Sequence, residues 1–585
     1  MNKKIKNTII ALAVPGALAF ALAGCAGFGG SAAEDTSATA ETTSAKSSES
    51  TTATESKSSG SGASADAASK YEGFTDRDFD SSYSGYQEIK LATGSTSTDA
   101  AGVTVEGNTI TFTQEGTYML SGELQDGQIV VDLPGENDKV QLVLNGVKVT
   151  NSGSAGLYVK NADKVFVTTV SGTENSISST GEFVQTDDNN VDGAIYSKDD
   201  IVFNGEGSLK VASAAGHGIV SKNDLKITGG TLEITSASKA LQGKDMVGIA
   251  GGTVSLDAGT DGIDSVNTVI YEGDVSIKAG DEGINSDVTD ENTKPAVLLA
   301  GGTVSIEAGD DAVQSTGDVT LSGASVNIVS GGGSENAAQH YDDMAFGQMG
   351  GWPGRGQQGP QFGGEQSNTG EINFDTDDDD STGEGTKNKG IKAANIYLKG
   401  GSLNIDAQDD AVNADGEIVV EGGTYNILAG DDGLHASEKL TVENGNLNVE
   451  AWEGLEATVV TINDGDIIIN AKDDGINATQ KVGSLSPSVE INGGNITISM
   501  AQGDTDALDS NGSLYINGGT ININAQSPFD YDGDSAIKGG TVYVNGEQIT
   551  ELYNQFMGGG MQGGPGGMQG GQMPGGQGGM PGGQV

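Results

Sequence analysis

Apolar and polar positions alternate with a period of two over most of this chain. In "GGTVSIEAGDDAVQS", Val304, Ile306 and Ala308 fall on one face, with Thr303, Ser305 and Glu307 on the other. "GGSLNIDAQDDAVNA" repeats the arrangement with Leu403, Ile405 and Ala407. Successive side chains of a strand point to opposite faces, so this period predicts strands. Each unit opens at a Gly pair or a Gly/Asn/Asp turn, runs a short strand, turns at a pair of acids and gives one more apolar residue. The Gly pairs at 400–401 and 422–423 are 22 residues apart, and Asp432, Glu453 and Asp474 follow at 21-residue steps.

A strand-bearing unit of roughly 20 to 30 residues, repeated without helical pattern, predicts an all-β fold, a parallel β-helix. Leucine-rich repeats share the period but need Leu-rich positions and an Asn/Cys ladder. A β-sandwich would need hairpins of alternating direction and would not hold one residue in frame over so many units.

Aligning the units on the apolar residue after the acidic turn gives an inward column: Ile219, Leu241, Ile263, Ile284, Val313, Ile391, Val412, Leu434, Leu455, Ile476 and Leu508. Two residues earlier stand His217, Lys239, Asp261, Glu282, Asp311, Lys389, Asp410, Asp432, Glu453, Asp474 and Asp506. One residue after it come Asp264, Asn285, Gln314, Lys392, Asn413, His435, Glu456, Asn477 and Asp509. Equivalent positions of stacked parallel strands lie about 4.8 Å apart. Two carboxylates at that distance repel by roughly 3 to 4 kcal/mol at an effective dielectric near 20. An aspartate capping a tight turn through backbone N–H groups, with glycine as a left-handed residue, accounts for one acid per turn. It does not account for two, stacked over consecutive units.

A calcium ion between units would, because it takes six to eight oxygens from carboxylates, carbonyls and Asn side chains. The expected ligands are Asp281, Glu282, Asp310, Asp311, Asp409, Asp410, Asp431, Asp432, Glu453, Asp473, Asp474 and Asp506. Asp261 is shared between this reading and the turn cap.

Charge points the same way. The chain has 585 residues, 94 of them glycine, with 82 acidic against 29 basic side chains and a formal net charge of -53. Such a polyanion is excluded as an unaided nucleic-acid binder, which needs Lys and Arg to displace phosphate counterions. The arginines are Arg77 and Arg355 alone. Residues 1–24 read as a signal peptide: Lys3, Lys4 and Lys6 precede a short apolar run, and "LAGC" ends on Cys25, the one cysteine. This resembles a bacterial lipobox, in which Cys25 is lipidated and the protein is held on the outer face of the membrane. A single cysteine allows no internal disulfide. Residues 25–70, rich in Ser, Thr and Ala, predict a disordered tether. The body spans 71–557, with a long insertion at about 342–385 that includes Met344 to Gln366 and the acidic run Asp375 to Asp380. A Gly/Met/Gln/Pro tail occupies 558–585.

"FTDRDFDSSY" (from Phe74), "GTYMLSG" (from Gly116), "GAIYSKDDI" (from Gly193), the repeated acidic pairs and "WEGLEA" (from Trp452) together resemble the bacterial carbohydrate-binding-domain family of secreted calcium-binding proteins. The resemblance covers about Phe74 to Tyr553. It implies a pectate-lyase-like fold, a single-stranded right-handed parallel β-helix. It also implies calcium at Asp409, Asp410, Asp431, Asp432, Asp473 and Asp474, and binding of acidic plant polysaccharide such as polygalacturonate, or of cellulose, without catalysis. The insertion at Met344 to Gln366 departs from the family pattern and leaves open whether the ligand groove is the same.

A lyase would need a base beside a calcium-held sugar carboxylate, typically an arginine. Arg77 precedes the repeats and Arg355 lies in the insertion. Lys389 and Lys392 ("KGIKA") interrupt the acid column, either as such a base or as neutralising partners of neighbouring acids. Paired carboxylates of a hydrolase do not discriminate here, since stacked acids meet the required separations trivially. Trp452 is positioned to stack on a sugar or to pack over its turn, and His435 reads as a polar turn residue near a bound ligand. The sequence therefore predicts a calcium-bearing polysaccharide binder, not an enzyme, with membrane contact through its lipid only and no sign of an oligomer. A polysaccharide lyase and a purely structural spacer or adhesin are the alternatives.

Overall fold

A computed structural model describes residues 70–135, 137–287, 293–337, 388–503 and 505–554. The signal peptide with Cys25, the tether, the Met344 to Gln366 insertion with Asp375 to Asp380, and the tail lie outside the described residues. Regular structure among the described residues comprises forty-one strands, a four-residue helix at Asp76–Phe79 and a three-residue 3-10 turn at Ser334–Asn336. Nearly every strand pair is parallel; the antiparallel pairs are Val103–Glu106 with Thr109–Phe112 and Thr541–Val544 with Glu547–Ile549, near the two ends.

The inward column is present rung by rung. Ile219 pairs with Leu241, and the register continues through Ile263, Ile284, Val313, Ile391, Val412, Leu434, Leu455, Ile476 and Leu508. It extends further, to Ile195, Leu157 and Ile129 before it and Phe529 after it. All are removed from solvent. Burying each such side chain stabilises the fold by about 1.5–3 kcal/mol, which is why the period-two pattern fixes the register.

The single-stranded right-handed parallel β-helix expected from sequence is corrected by the strand pairing. Strand Lys139–Asn151 pairs with both Lys164–Thr169 and Glu174–Ser179. Strand Leu241–Ala258 pairs with both Asp224–Ile227 and Thr231–Ser236. Asp200–Gly205 joins one side of this circuit and Ser208–Ser213 the other. Eight strands thus close a ring in which every pair is parallel, an eight-stranded parallel β-barrel. The physical reason is strand length. The two connecting strands have 13 and 18 residues and bend from one face to the next while staying paired. Gly251 and Gly252, which read in the sequence as a turn between strands, lie inside the second of them. Their φ values of 157° and 88°, with register shifts beside them, make a bulged corner rather than an end.

The stretch from Lys70 to Ser82 lies across the outside of the strands. Tyr71 and Phe74 pack with Met246, Ala250 and Val269, and Tyr71 stacks on Phe79 at 5.5 Å. Arg77 lies 4.4 Å over the Phe166 ring. Asp78, fully buried, accepts from Lys164 Nζ at 3.0 Å, and Gln141 donates to Ser82 O. This clasp explains why strands Lys164–Thr169 and Asp200–Gly205 are buried on both faces and show no alternation in burial.

Candidate functional site

Each acidic turn delivers its side chains by a backbone rule. The amide of Gly454 donates to Asp474 O, that of Gly475 to Asp506 O, and that of Gly390 to Asp410 O. The acid column is therefore stacked by main-chain hydrogen bonds, with carboxylates brought rung over rung. The glycines of these acidic turns are not left-handed: Gly433, Gly454 and Gly475 have no positive φ. A Cβ on Gly454 would lie 2.3 Å from Gly475 O, and one on Gly475 2.6 Å from Ala507 O. Glycine is there for close approach of neighbouring rungs, which corrects the expected turn role.

Several column acids use one oxygen to cap the amide of the next rung. Asp311 Oδ1 accepts from Lys389 N at 2.8 Å, Asp410 Oδ1 from Asp432 N at 3.1 Å, and Asp474 Oδ1 from Asp506 N at 3.1 Å. Asp310 does the same for Asn388 N. Carboxylate oxygens lie within 4.8 Å of one another in Asp261/Asp281/Glu282, in Asp409/Asp410/Asp431 and in Asp432/Glu453/Glu456, and His435 joins Asp410 and Asp432.

Built-in cations occupy part of this column. Lys389, buried, places Nζ 2.5 Å from Asp410 Oδ2 and 3.3 Å from Asp409 Oδ2. Its ammonium, with His435 and an amide from Asn413, outweighs burial and holds Asp410 below the usual carboxylate range. Lys239 lies 2.9 Å from Asp261 and 2.5 Å from Asp264. Lys481 lies 3.0 Å from Glu456, and His435 Nδ1 is 2.8 Å from Asp432 and 3.2 Å from Glu456. Lys392 pairs in register with Gln314 and Asn413 and lowers the neighbouring Asp311. Even so, burial holds Asp311 up at about 6, and burial with Asp261 and Asp310 raises Glu282 to about 7. Burial and then Asp410 and Asp409 push Asp431 to about 8.

The least compensated end lies beyond. Asp474 is pushed well above the carboxylate range by burial and then by Glu453, Asp509, Asp473 and Asp506, all acids. Glu453 is raised by burial, Glu456, Asp473 and Asp431, and Asp509 reaches about 7 through burial, Asp506 and Asp530. Between them Asn477, buried, donates to Glu453 Oε2 at 3.1 Å and leaves its own Oδ1 without a hydrogen-bond partner. A buried, orphaned carbonyl oxygen among repelling carboxylates is the donor set of a hard cation, so these residues fit calcium. Glu456, Asn477, Asp509, Lys239 and Lys481 were not among the expected site residues. The first four stand in the aligned positions and could have been read from the alignment; Lys481 lies in a loop outside the repeat and carries no periodic signal. Trp452, half-buried, sits in the same turn, its backbone bridging Asp431 O to the amides of Lys472 and Asp473.

With this geometry in view the chain can be placed. It is an all-β protein whose aligned turns carry stacked acids. It belongs to the carbohydrate-binding domain-containing protein family, whose model matches residues 106–269, 267–433 and 431–553. It is 41% identical over 135 residues to a carbohydrate-binding domain-containing protein of Acetivibrio thermocellus, a match over 23% of this chain and 47% of that one. The chain thus spans about half the length of that relative. It is also similar to a polysaccharide lyase-like protein from C. thermocellum, solved as a gadolinium derivative. That match has 34% identity and a TM-score of 0.35, and covers 42% of this chain and 92% of the other.

Proposed function

We propose that this protein is a cell-surface lipoprotein whose acidic column takes up calcium and, through it, holds an acidic plant-type polysaccharide such as polygalacturonate, without catalysis. The observation that carries the reading is the Glu453, Asp474 and Asn477 cluster, with repelling buried carboxylates and an orphaned carbonyl oxygen. Membership of a carbohydrate-binding family supports the ligand class. Calcium supplies the charge that lets a polyanion approach a polyanion, and ligands on successive rungs bind them to one another. The chain's own residues do the rest. Asp311, Asp410 and Asp474 hold rungs by capping amides with one oxygen, Lys389 neutralises Asp409 and Asp410, and Trp452, half-buried in the same turn, offers an indole for the face of a sugar.

The non-catalytic reading is supported by the engagement of the basic groups. Lys389 is held by two carboxylates, and Arg77 by Gln141, the Asp80 carbonyl and the Phe166 ring. Lipidation at Cys25 and the tether complete the proposal on sequence grounds. Pull-down on polygalacturonate with calcium and with EDTA tests it: retention in calcium and release in EDTA is the expected result. No retention in calcium would leave a structural spacer, and unsaturated, ultraviolet-absorbing product would make the protein a lyase.

A further inference from the structure

The acidic column is not neutralised evenly along its length. At the rung of Asp410 the compensating charge belongs to the chain itself. Lys389, one rung earlier, is locked by its own backbone: its amide donates to Asp311 Oδ1 at 2.8 Å, and its carbonyl accepts from Ala312 N at 3.1 Å. Its side chain is only 9% accessible, and its ammonium lies 2.5 Å from Asp410 Oδ2 and 3.3 Å from Asp409 Oδ2. Lys239 differs: its side chain, 25% accessible, meets Asp261 and Asp264 at the rim. The asparagines of the column divide in the same way. Asn413 and Asn477 occupy equivalent positions in the register. Beside Lys389, Asn413 donates to Asp410 Oδ2 at 2.6 Å and is left with no buried orphan oxygen. Further along, Asn477 keeps its orphaned Oδ1.

We infer that the Lys389 ammonium is a resident cation closing a divalent-metal site of Asp409, Asp410 and Asp431, which is latent in the wild-type chain. The inference rests on the reading of the column as calcium-binding, and it narrows that reading. The family resemblance implies calcium at these three acids, whereas this chain supplies the positive charge from within. Oxygens of the three lie within 4.8 Å of one another, a spacing that one calcium spans with bonds of about 2.3 to 2.6 Å. An ammonium is a compact point charge with three donors. Seated between two of the carboxylates, it takes lone pairs that a metal needs and repels a second cation. Burial leaves little solvent to screen that repulsion. Because the charge is covalently attached, this rung stays joined when calcium is withdrawn, while the rungs at Glu453 and Asp474 depend on the ion.

Calcium bound per full chain, measured by equilibrium dialysis and metal analysis, tests the assignment. Lys389→Met removes the charge and keeps a side chain of similar length. It is expected to hold one calcium more than the wild type, to melt below it in EDTA because buried acids lose their partner, and to gain more on adding calcium. Lys389→Arg retains a cation and is expected to hold the wild-type number. Asp409→Asn in the otherwise wild-type chain is expected to lose none, because that carboxylate binds no metal there. Three results overturn the latent site: a folded Lys389→Met chain with no added calcium, one that folds in neither medium, or an Asp409→Asn chain one calcium short. Wild-type protein that binds no calcium would instead sink the proposed function, and a gain in Lys389→Met counted from zero would still support the latent site.

Discussion

Asp474 is held by main-chain geometry in a place its charge resists. Burial and four neighbouring acids raise its proton affinity, and one of its oxygens still has an amide to cap. Asp474→Asn keeps the cap and removes the charge. In EDTA the variant is expected to melt a few degrees above the wild type, while its gain on adding calcium shrinks. A variant less stable by the same amount in both media would mean that the acid is a turn cap and nothing more; scanning fluorimetry makes the comparison. Asp200 offers a cleaner titration away from the column. Burial, then Asp224, lifts it to about 6 against Lys164 and Lys226, whereas the unfolded value is about 3.9. A folded group that keeps its proton to higher pH contributes stability that is present below about pH 4 and lost as pH rises through about 6. In saturating calcium, Asp200→Asn should therefore match the wild type near pH 4 and exceed it at pH 7 by on the order of 1–3 kcal/mol. Melting temperatures across that range read the difference.

At the scale of the strand and turn, the rung spacing is the controlling quantity. Gly454→Ala would set a Cβ 2.3 Å from Gly475 O. The rungs must part to admit it, at a cost of about 1–3 kcal/mol. Leu455→Ala, one residue on, empties a fully buried position and should cost about 2–5 kcal/mol. Urea midpoints for the two variants check both values, and a silent Gly454→Ala would show that the rungs have slack. These neighbours also show what could be read in advance. Leu455 and its column announce themselves through a period of two that only a half-buried strand requires, so the register was legible to the residue. Gly251 and Gly252 were not, because a Gly pair looks the same whether it ends a strand or bends one, and the closed ring depends on which. The acids at Asp432 and Glu453 were visible by spacing. Lys481 was not, since a loop lysine meets Glu456 only after the fold has brought them together. Lys389 was open in the sequence between a base and a neutralising partner of neighbouring acids, and the fold puts it on Asp409 and Asp410.

For the whole molecule, a net charge of -53 makes self-repulsion a general term, on top of the local one. With calcium removed, added sodium chloride should raise the melting temperature steadily as the Debye length falls from about 10 Å at 0.1 M toward 3 Å at 1 M. With calcium bound, the same salt series should be nearly flat for the buried column and move only the exposed remainder. An equal slope in both media would place the repulsion on the open surface rather than in the stacked acids.

The clasp from Lys70 to Ser82 has a mechanical meaning. The chain enters it beside Tyr271 and Glu272 and travels back past Met246, Lys164 and Gln141 before joining the sheet at strand Gln87–Ala92. Tension applied ahead of residue 70 therefore reaches the flank of the body first, not its terminal strand. Aromatic contacts and one buried ion pair must give way in turn before any strand is loaded. Drawn out at about 3.5 Å per residue, this stretch has a contour of roughly 45 Å, and the slack it holds is that contour less the distance it already spans. A body pulled through this end could yield that slack and recover it with its sheet intact.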